Sequence, residues 1–190
     1  MMIIFLYGPD TFRSREKLNI LKKRFMDEVD KSGLNLVELD AEKMTINDFN
    51  KAVFTRSFLA KKRMIIIRNI FKRLKKFQTE VLDILKETGF GDALPGSKDK
   101  SGTDDNVLIF VDENPDKRTA LFKYLSAGKF KEEFNILQNN DLVDWIEKRV
   151  DEKKGKIDRR NANLLASRSD GNLWVMAGEI DKLVALKKGE

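Results

Sequence analysis

The chain has 190 residues, of which 41% are hydrophobic and 36% charged, enough for one packed core and a smaller second one. It contains no cysteine and no histidine, which excludes disulfide frameworks, thiolate zinc sites, imidazole metal centres and histidine-dependent nucleophilic triads. A net charge of +6 and a pI near 9.4 permit contact with nucleic acid or an acidic partner and specify neither.

The opening run from Met1 to Tyr7 is apolar but short and lacks a basic leader. No stretch approaches the ~20 residues of a membrane span, and the protein is read as cytoplasmic. Apolar runs at 2–7, 34–39, 64–67, 107–111 and 134–137 predict strands. Amphipathic patterns near 13–30, 45–54, 71–88 and 116–126 predict the helices between them. Near-continuous apolar strands alternating with helices imply an α/β domain, a parallel sheet with flanking helices on both faces, over residues 1–140. Asn114-Pro115 offers a cap with proline at the first helical position, and Gly128 stops that helix after Leu121, Phe122 and Leu125. Residues 89–105 are rich in Gly, Ser, Asp and Lys and read as a loop or insertion within the domain.

From 141 to 190 the pattern becomes helical only, predicting a small three-helix domain. Asp141 can cap a helix that carries Leu142, Trp145, Ile146 and Val150 on one face and stops at Gly155. Asp158 can cap a second through Ala162, Leu165 and Ala166. A third, from Asn172 towards Lys188, has a wide stripe of Leu173, Trp174, Met176, Ala177, Ile180, Leu183 and Val184. Trp145 and Trp174 are read as core.

Ser57-Phe58-Leu59 sets a large apolar pair in a polar turn, flanked by Thr55, Arg56, Lys61 and Lys62, just ahead of the third strand. Two readings are open: a protruding docking knob, or a plug folded back over the end of the sheet. The following stretch concentrates Lys61, Lys62, Arg63, Arg68, Lys72, Arg73, Lys75 and Lys76 without an acidic residue. It is either a solvated face or a contact for DNA or an acidic partner, without the interleaved aromatics that stack single-stranded bases.

A strand, Gly8-Pro9-Asp10 and then a helix is where a nucleotide-binding domain keeps its phosphate loop. With Gly8 aligned to the first glycine of G-x-x-x-x-G-K-[ST], Arg13, Ser14 and Arg15 replace the second Gly, the Lys and the magnesium-binding hydroxyl. The loop is degenerate, and no nucleotide, metal or other cofactor is expected. Asp112-Glu113, ending an apolar strand, imitates the carboxylates of an ATPase. The strand order puts the strand at 64–67 next in line for that role, and it ends in Arg68-Asn69. The dipole of a helix starting at Asn114-Pro115 accounts for the acidic pair instead.

These parts together resemble an AAA+ module without its ATPase, and in particular the delta-subunit family of bacterial DNA polymerase III clamp loaders. The resemblance rests on IIFLYGPDTF at 3–12, SFLAKKRMIIIRN at 57–69, NVLIFVDENPDKR at 106–118 and GNLWVMAGEIDKL at 171–183. It implies that Phe58 and Leu59, with Ser57 beside them, insert into a hydrophobic pocket of the sliding clamp (the beta subunit), which favours the knob. Binding the opened ring better than the closed one would promote opening without catalysis in this chain. ATP is hydrolysed by neighbouring loader subunits, within a holoenzyme classed as a DNA-directed DNA polymerase, a transferase. DNA contact inside the assembly would fall to Lys61, Lys62, Lys72, Arg73, Lys75 and Lys76. The family's carboxy-terminal collar domain is not found after Glu190, so the resemblance implies a fragment, expected to be a monomer, that binds the clamp and does not assemble the loader. A P-loop NTPase or a nucleic-acid-binding domain built on the basic cluster is the alternative.

Overall fold

Runs of branched and aromatic residues form the five strands of one parallel sheet: β1 (Met2–Tyr7), β2 (Leu36–Asp40), β3 (Met64–Arg68), β4 (Val107–Asp112) and β5 (Phe130–Glu133). In this computed structural model, residues 2–55, 62–87, 106–168 and 171–188 are described. The strand order is β2-β3-β4-β1-β5, and every neighbouring pair is parallel. β4 is the hub, paired along its length with β1 (Met2 opposite Val107, Tyr7 opposite Asp112) and with β3 (Met64 opposite Val107).

Side chains alternate across the sheet, so each buried strand feeds two cores. Ile65, Ile67, Leu108, Phe110 and Phe5 face one side, which is covered by α2 (Ile46–Phe54), α3 (Lys75–Glu87) and α4 (Ala120–Ala127) through Phe49, Val53, Val81, Leu85, Leu121 and Leu125. Met64, Ile66, Leu6, Val107 and Ile109 face the other, where α1 (Thr11–Glu28) lays Leu18 and Phe25. Both faces are thus dry, which is why these strands read as unbroken apolar runs. A Thr45–Asp48 capping box starts α2, and the Thr119 hydroxyl accepts from Phe122 N–H at the start of α4.

The chain divides into two compact units, Met1–Phe134 and Asn135–Glu190. The second contains α5 (Asn139–Glu152), α6 (Arg159–Ser167) and α7 (Leu173–Lys188). Its core includes Leu142, Ile146, Val150, Ala162, Met176 and Ile180. Arg159 ties α6 to α5 through Asp144 and through Glu147 at 2.8 Å, and Lys153 reaches Asp181 of α7 at 2.8 Å. Asp158 caps α6 as expected, accepting from Asn161 N–H at 2.7 Å.

Four local expectations are corrected. Asp141 does not cap α5: the N-cap is Gln138, without a side-chain bond, and Asp141 lies in the first turn, where its charge suits the helix dipole. The fifth strand is Phe130–Glu133, not 134–137: as an edge strand paired only with β1 it needs no apolar run, and Lys131, Glu132 and Glu133 suit its exposure. The helix expected from Asn114-Pro115 begins at Ala120, because Asp116 instead accepts from the Arg118 N–H and guanidinium and closes a turn. Trp174 is 46% exposed rather than core, since α7 turns Leu173, Met176, Ala177 and Ile180 inward. The 89–105 segment lies outside the described residues.

The junction of β1 with α1 has no room for a side chain. Gly8 has φ +130°, and a Cβ there would lie 2.4 Å from the Phe134 carbonyl oxygen. Gly8→Ala is therefore expected to destabilise the first unit by roughly 3 kcal/mol or more, from combined backbone strain and steric clash, read by urea denaturation.

Candidate functional site

The mouth of the sheet, at the carboxyl ends of the strands, is where an open α/β fold presents its ligand site. At the end of β1 three residues, Gly8, Pro9 and Asp10, pass the chain to α1, which starts at Thr11. Asp10 caps the helix and is 3% exposed. Arg13 donates to it twice, from the backbone N–H to Oδ1 at 3.0 Å and from Nε to Oδ2 at 2.6 Å. The helix N-terminus, which attracts anions, thus already holds a carboxylate of its own chain.

The neighbouring amides are committed as well. Gly8 N–H donates to Asp112 O, Asp10 N–H to Phe134 O, Thr11 N–H to Pro9 O and Ser14 N–H to Asp10 O, while Pro9 has no N–H. Of the positions aligned with a phosphate loop, Gly8 sits against the Phe134 carbonyl, Arg13 turns back onto Asp10 with its guanidinium 6.0 Å from the Phe134 ring, Ser14 is buried, and Arg15 is exposed. Sequence comparison with the motif missed Asp10. Its signal was present, an aspartate at an N-cap with arginine three residues later.

Asp112 ends β4, beside Tyr7 of β1. β4, not β3, is the strand directly next to β1, and Arg68 lies one strand further out, opposite Val111. The Asp112 carboxylate accepts from Phe71 N–H at 3.1 Å, in the 3-10 helix Ile70–Lys72 that follows β3. The expected partner, a helix dipole after Asn114-Pro115, is replaced by this turn. Glu113 lies outside the strand, at the following bend. Among the described residues, no three Asp or Glu side chains cluster as metal ligands.

The basic stretch is dispersed by the fold. Arg68 pairs with Glu38 at 3.2 Å, Lys72 lies 3.9 Å from Glu42, and Arg73 donates to the Glu42 carbonyl while its guanidinium lies 4.3 Å from the Phe77 ring centre. Acidic residues absent from the sequence window are supplied by β2 and the turn after it. Lys62 is half-buried, and Lys75 and Lys76 are exposed at the start of α3. Lys75 lines a small cleft of about 250 Å³ with Asp116, Arg118 and Thr119.

Arg63 has a different task. Its Nη1 donates to the carbonyls of Ala52 at 3.1 Å and Thr55 at 2.9 Å, so one guanidinium secures the end of α2. Burial lowers its pKa from the usual arginine value. Its backbone N–H donates to Asn106 Oδ1 at 2.9 Å, and its carbonyl accepts from Val107 N–H. Both flanks of the 56–61 segment are therefore tied to the sheet. Ser57, Phe58, Leu59 and Lys61 themselves lie outside the described residues. Phe54, the last residue of α2, is 49% exposed at this edge.

No family model matches the chain, and no curated protein matches it in sequence. Solved structures do match in fold. The Bacillus subtilis DNA clamp loader delta protein (YqeN) superposes with a TM-score of 0.64 at 20% identity over 98% of this chain. The replication initiator DnaA, bound to AMPPCP and single-stranded DNA, gives 0.61 at 16% identity, and the Thermotoga maritima RuvB Holliday junction branch migration motor gives 0.56 at 16%, each over 98% of this chain. The chain spans about half the length of these proteins, 53% of the first and 56% of the other two. At such identities the likeness is one of fold: a five-stranded parallel sheet of AAA+ type with flanking helices, followed by helices alone. No helix among the described residues is long and apolar enough to cross a membrane.

Burial raises the Asp112 pKa to about 6 from an ordinary 3.8, against the opposing effect of the N–H groups that point at it. Between those pH values the native state keeps a proton that the unfolded chain releases, so stability falls as pH rises from about 4 to 6. Asp112→Asn removes this fall. Relative to the unsubstituted protein, the variant is expected to gain about 2 kcal/mol between pH 4 and pH 7, measured by urea denaturation at each pH.

Proposed function

We propose that this chain is a clamp-loader module of the delta type, which binds the sliding clamp of a replicative polymerase and favours its open form without hydrolysing ATP. The observation that carries the reading is Asp10. In an AAA+-type fold, a buried carboxylate bonded to Arg13 occupies the helix N-terminus that would otherwise hold phosphate, and the adjacent amides are already used. A fold of motor type with its anion cradle filled from within suits a binding role. The likeness to a clamp loader delta protein supports the choice of partner.

Phe58 and Leu59 are the proposed contact, with Ser57 beside them. The two bonds from Arg63 to the end of α2 support this, since a docking segment with fixed flanks loses less conformational freedom on binding. Burying two such side chains is worth about 3–6 kcal/mol. Clamp opening needs only tighter binding to the opened ring than to the closed one. The basic cluster offers a weaker case for nucleic acid as the main ligand, because Arg68, Lys72 and Arg73 are engaged with Glu38 and Glu42. Lys61, Lys62, Lys75 and Lys76 are proposed at most as secondary DNA contacts within a cytoplasmic replication assembly.

The test is binding to the purified sliding clamp of the same organism beside a Phe58→Ala/Leu59→Ala double variant. The variant should remain folded and bind about a thousandfold more weakly, a loss of about 4 kcal/mol. Equal binding by both would place the clamp contact elsewhere, and no binding by either would overturn the proposed partner. MgATP at millimolar concentration should leave the melting temperature unchanged.

A further inference from the structure

The second unit carries a groove that the clamp reading does not use. It is about 980 Å³ in volume and lies between α6, α7 and the turn that joins α5 to α6. The turn makes room for it. Lys154 has φ 61°, and Gly155 passes so close to α7 that a Cβ would meet Val150 Cγ1 and Val184 Cγ2 at 3.0 Å each. A bare backbone at this point keeps the groove open along the helix pair.

Its floor is apolar, formed by Ile157, Leu164, Leu165, Leu183 and Val184. Two of these leucines are large side chains left in water: Leu164 is 49% exposed and Leu183 is 50% exposed. The rim is basic. Lys154, Lys156, Arg168 and Lys187 border the groove, and none has a carboxylate partner among the described residues. Asp158, the one acidic residue of the lining among the described residues, is spent on Asn161, whose N–H and Nδ2 both donate to it. Arg159 and Lys153 nearby, by contrast, are each matched with acidic residues. Among the described residues, positive charge without a carboxylate partner is thus gathered around exposed apolar surface.

An apolar floor with a cationic rim fits a ligand that is apolar along one stripe and acidic along its margins. The volume is on the order of two turns of α-helix. We propose that the groove docks an acidic amphipathic helix of a partner protein, its apolar residues at i, i+3, i+4 and i+7 on the leucines and its flanking carboxylates opposite the lysines. This contact is separate from the Phe58–Leu59 site and stands or falls without it.

The probe is a fluorescein-labelled 16-residue peptide with leucine at helical i, i+3, i+4, i+7 spacing and glutamate on the flanking positions. Two control peptides are used, one with the same composition scrambled and one with lysine in place of glutamate. Anisotropy titrations of the full chain should give at least tenfold tighter binding for the acidic amphipathic peptide than for either control. Lys156→Glu/Lys187→Glu and Leu164→Gln/Leu183→Gln should each weaken it at least tenfold, with circular dichroism unchanged because all four positions are exposed. The proposal is overturned if the scrambled peptide binds equally, or if no peptide binds at 1 mM protein. It is equally overturned if a single-stranded oligonucleotide displaces the peptide and responds to the same variants, or if sedimentation reveals a dimer that Leu164→Gln/Leu183→Gln abolishes.

Discussion

Every peptide group in the middle of a two-sided parallel sheet must find a partner within the sheet, because both faces are dry. That requirement organises the first unit. β4 satisfies it by pairing on both edges, and Asn106, 3% exposed at its start, extends the arrangement one residue beyond the strands. The Asn106 carbonyl accepts from Met2 N–H and its side chain from Arg63 N–H, so a single residue aligns the beginnings of β1, β3 and β4. Arg63 transmits the alignment to the end of α2. The far end of the sheet is fixed by its own contacts, Gly8 against Phe134 and Asp112 against the turn after β3.

Electrostatics at that far end divides into two carboxylates with opposite fates. Asp10 is bonded by a guanidinium and a helix amide, so its charge is matched locally. Asp112 is bonded by a backbone amide but lies deep, and burial raises its proton affinity. Both are buried, so neither presents an exposed carboxylate at the mouth of the sheet. The position where a nucleotide-binding α/β domain keeps its phosphate loop is here occupied by side chains of the chain itself.

Much of this was legible in the sequence because the two-sided burial of β1, β3 and β4 writes itself as MIIFLY, MIII and VLIFV. The edge strand was not, since FKEE obeys no apolar rule and the apolar residues from Phe134 to Leu137 lie just beyond it. Pro115 suggested a helix start, yet the bonds between Asp116 and Arg118 and the cap at Thr119 decided where α4 begins. The loss of the phosphate-loop residues could be read from Arg13, Ser14 and Arg15, and Asp10 at an N-cap three residues before Arg13 signalled a helix cap, but that the capping carboxylate is buried and also bonded by the Arg13 guanidinium could not. The basic stretch misled in the other direction, because Glu38 and Glu42 reach Arg68 and Lys72 only when β2 lies beside β3.

The register of β1 has a consequence for how the protein is made. Met2 pairs with Val107, and Ile4 with Phe130 on the other edge, so β1 waits for partners made more than a hundred residues later. At about 5–20 residues per second this is a delay of roughly 5–20 s, during which MIIFLY is an unpaired apolar segment. β2 and β3, whose partners are closer in sequence, can associate earlier. β1 is therefore the strand of this sheet that stays unpaired longest during synthesis.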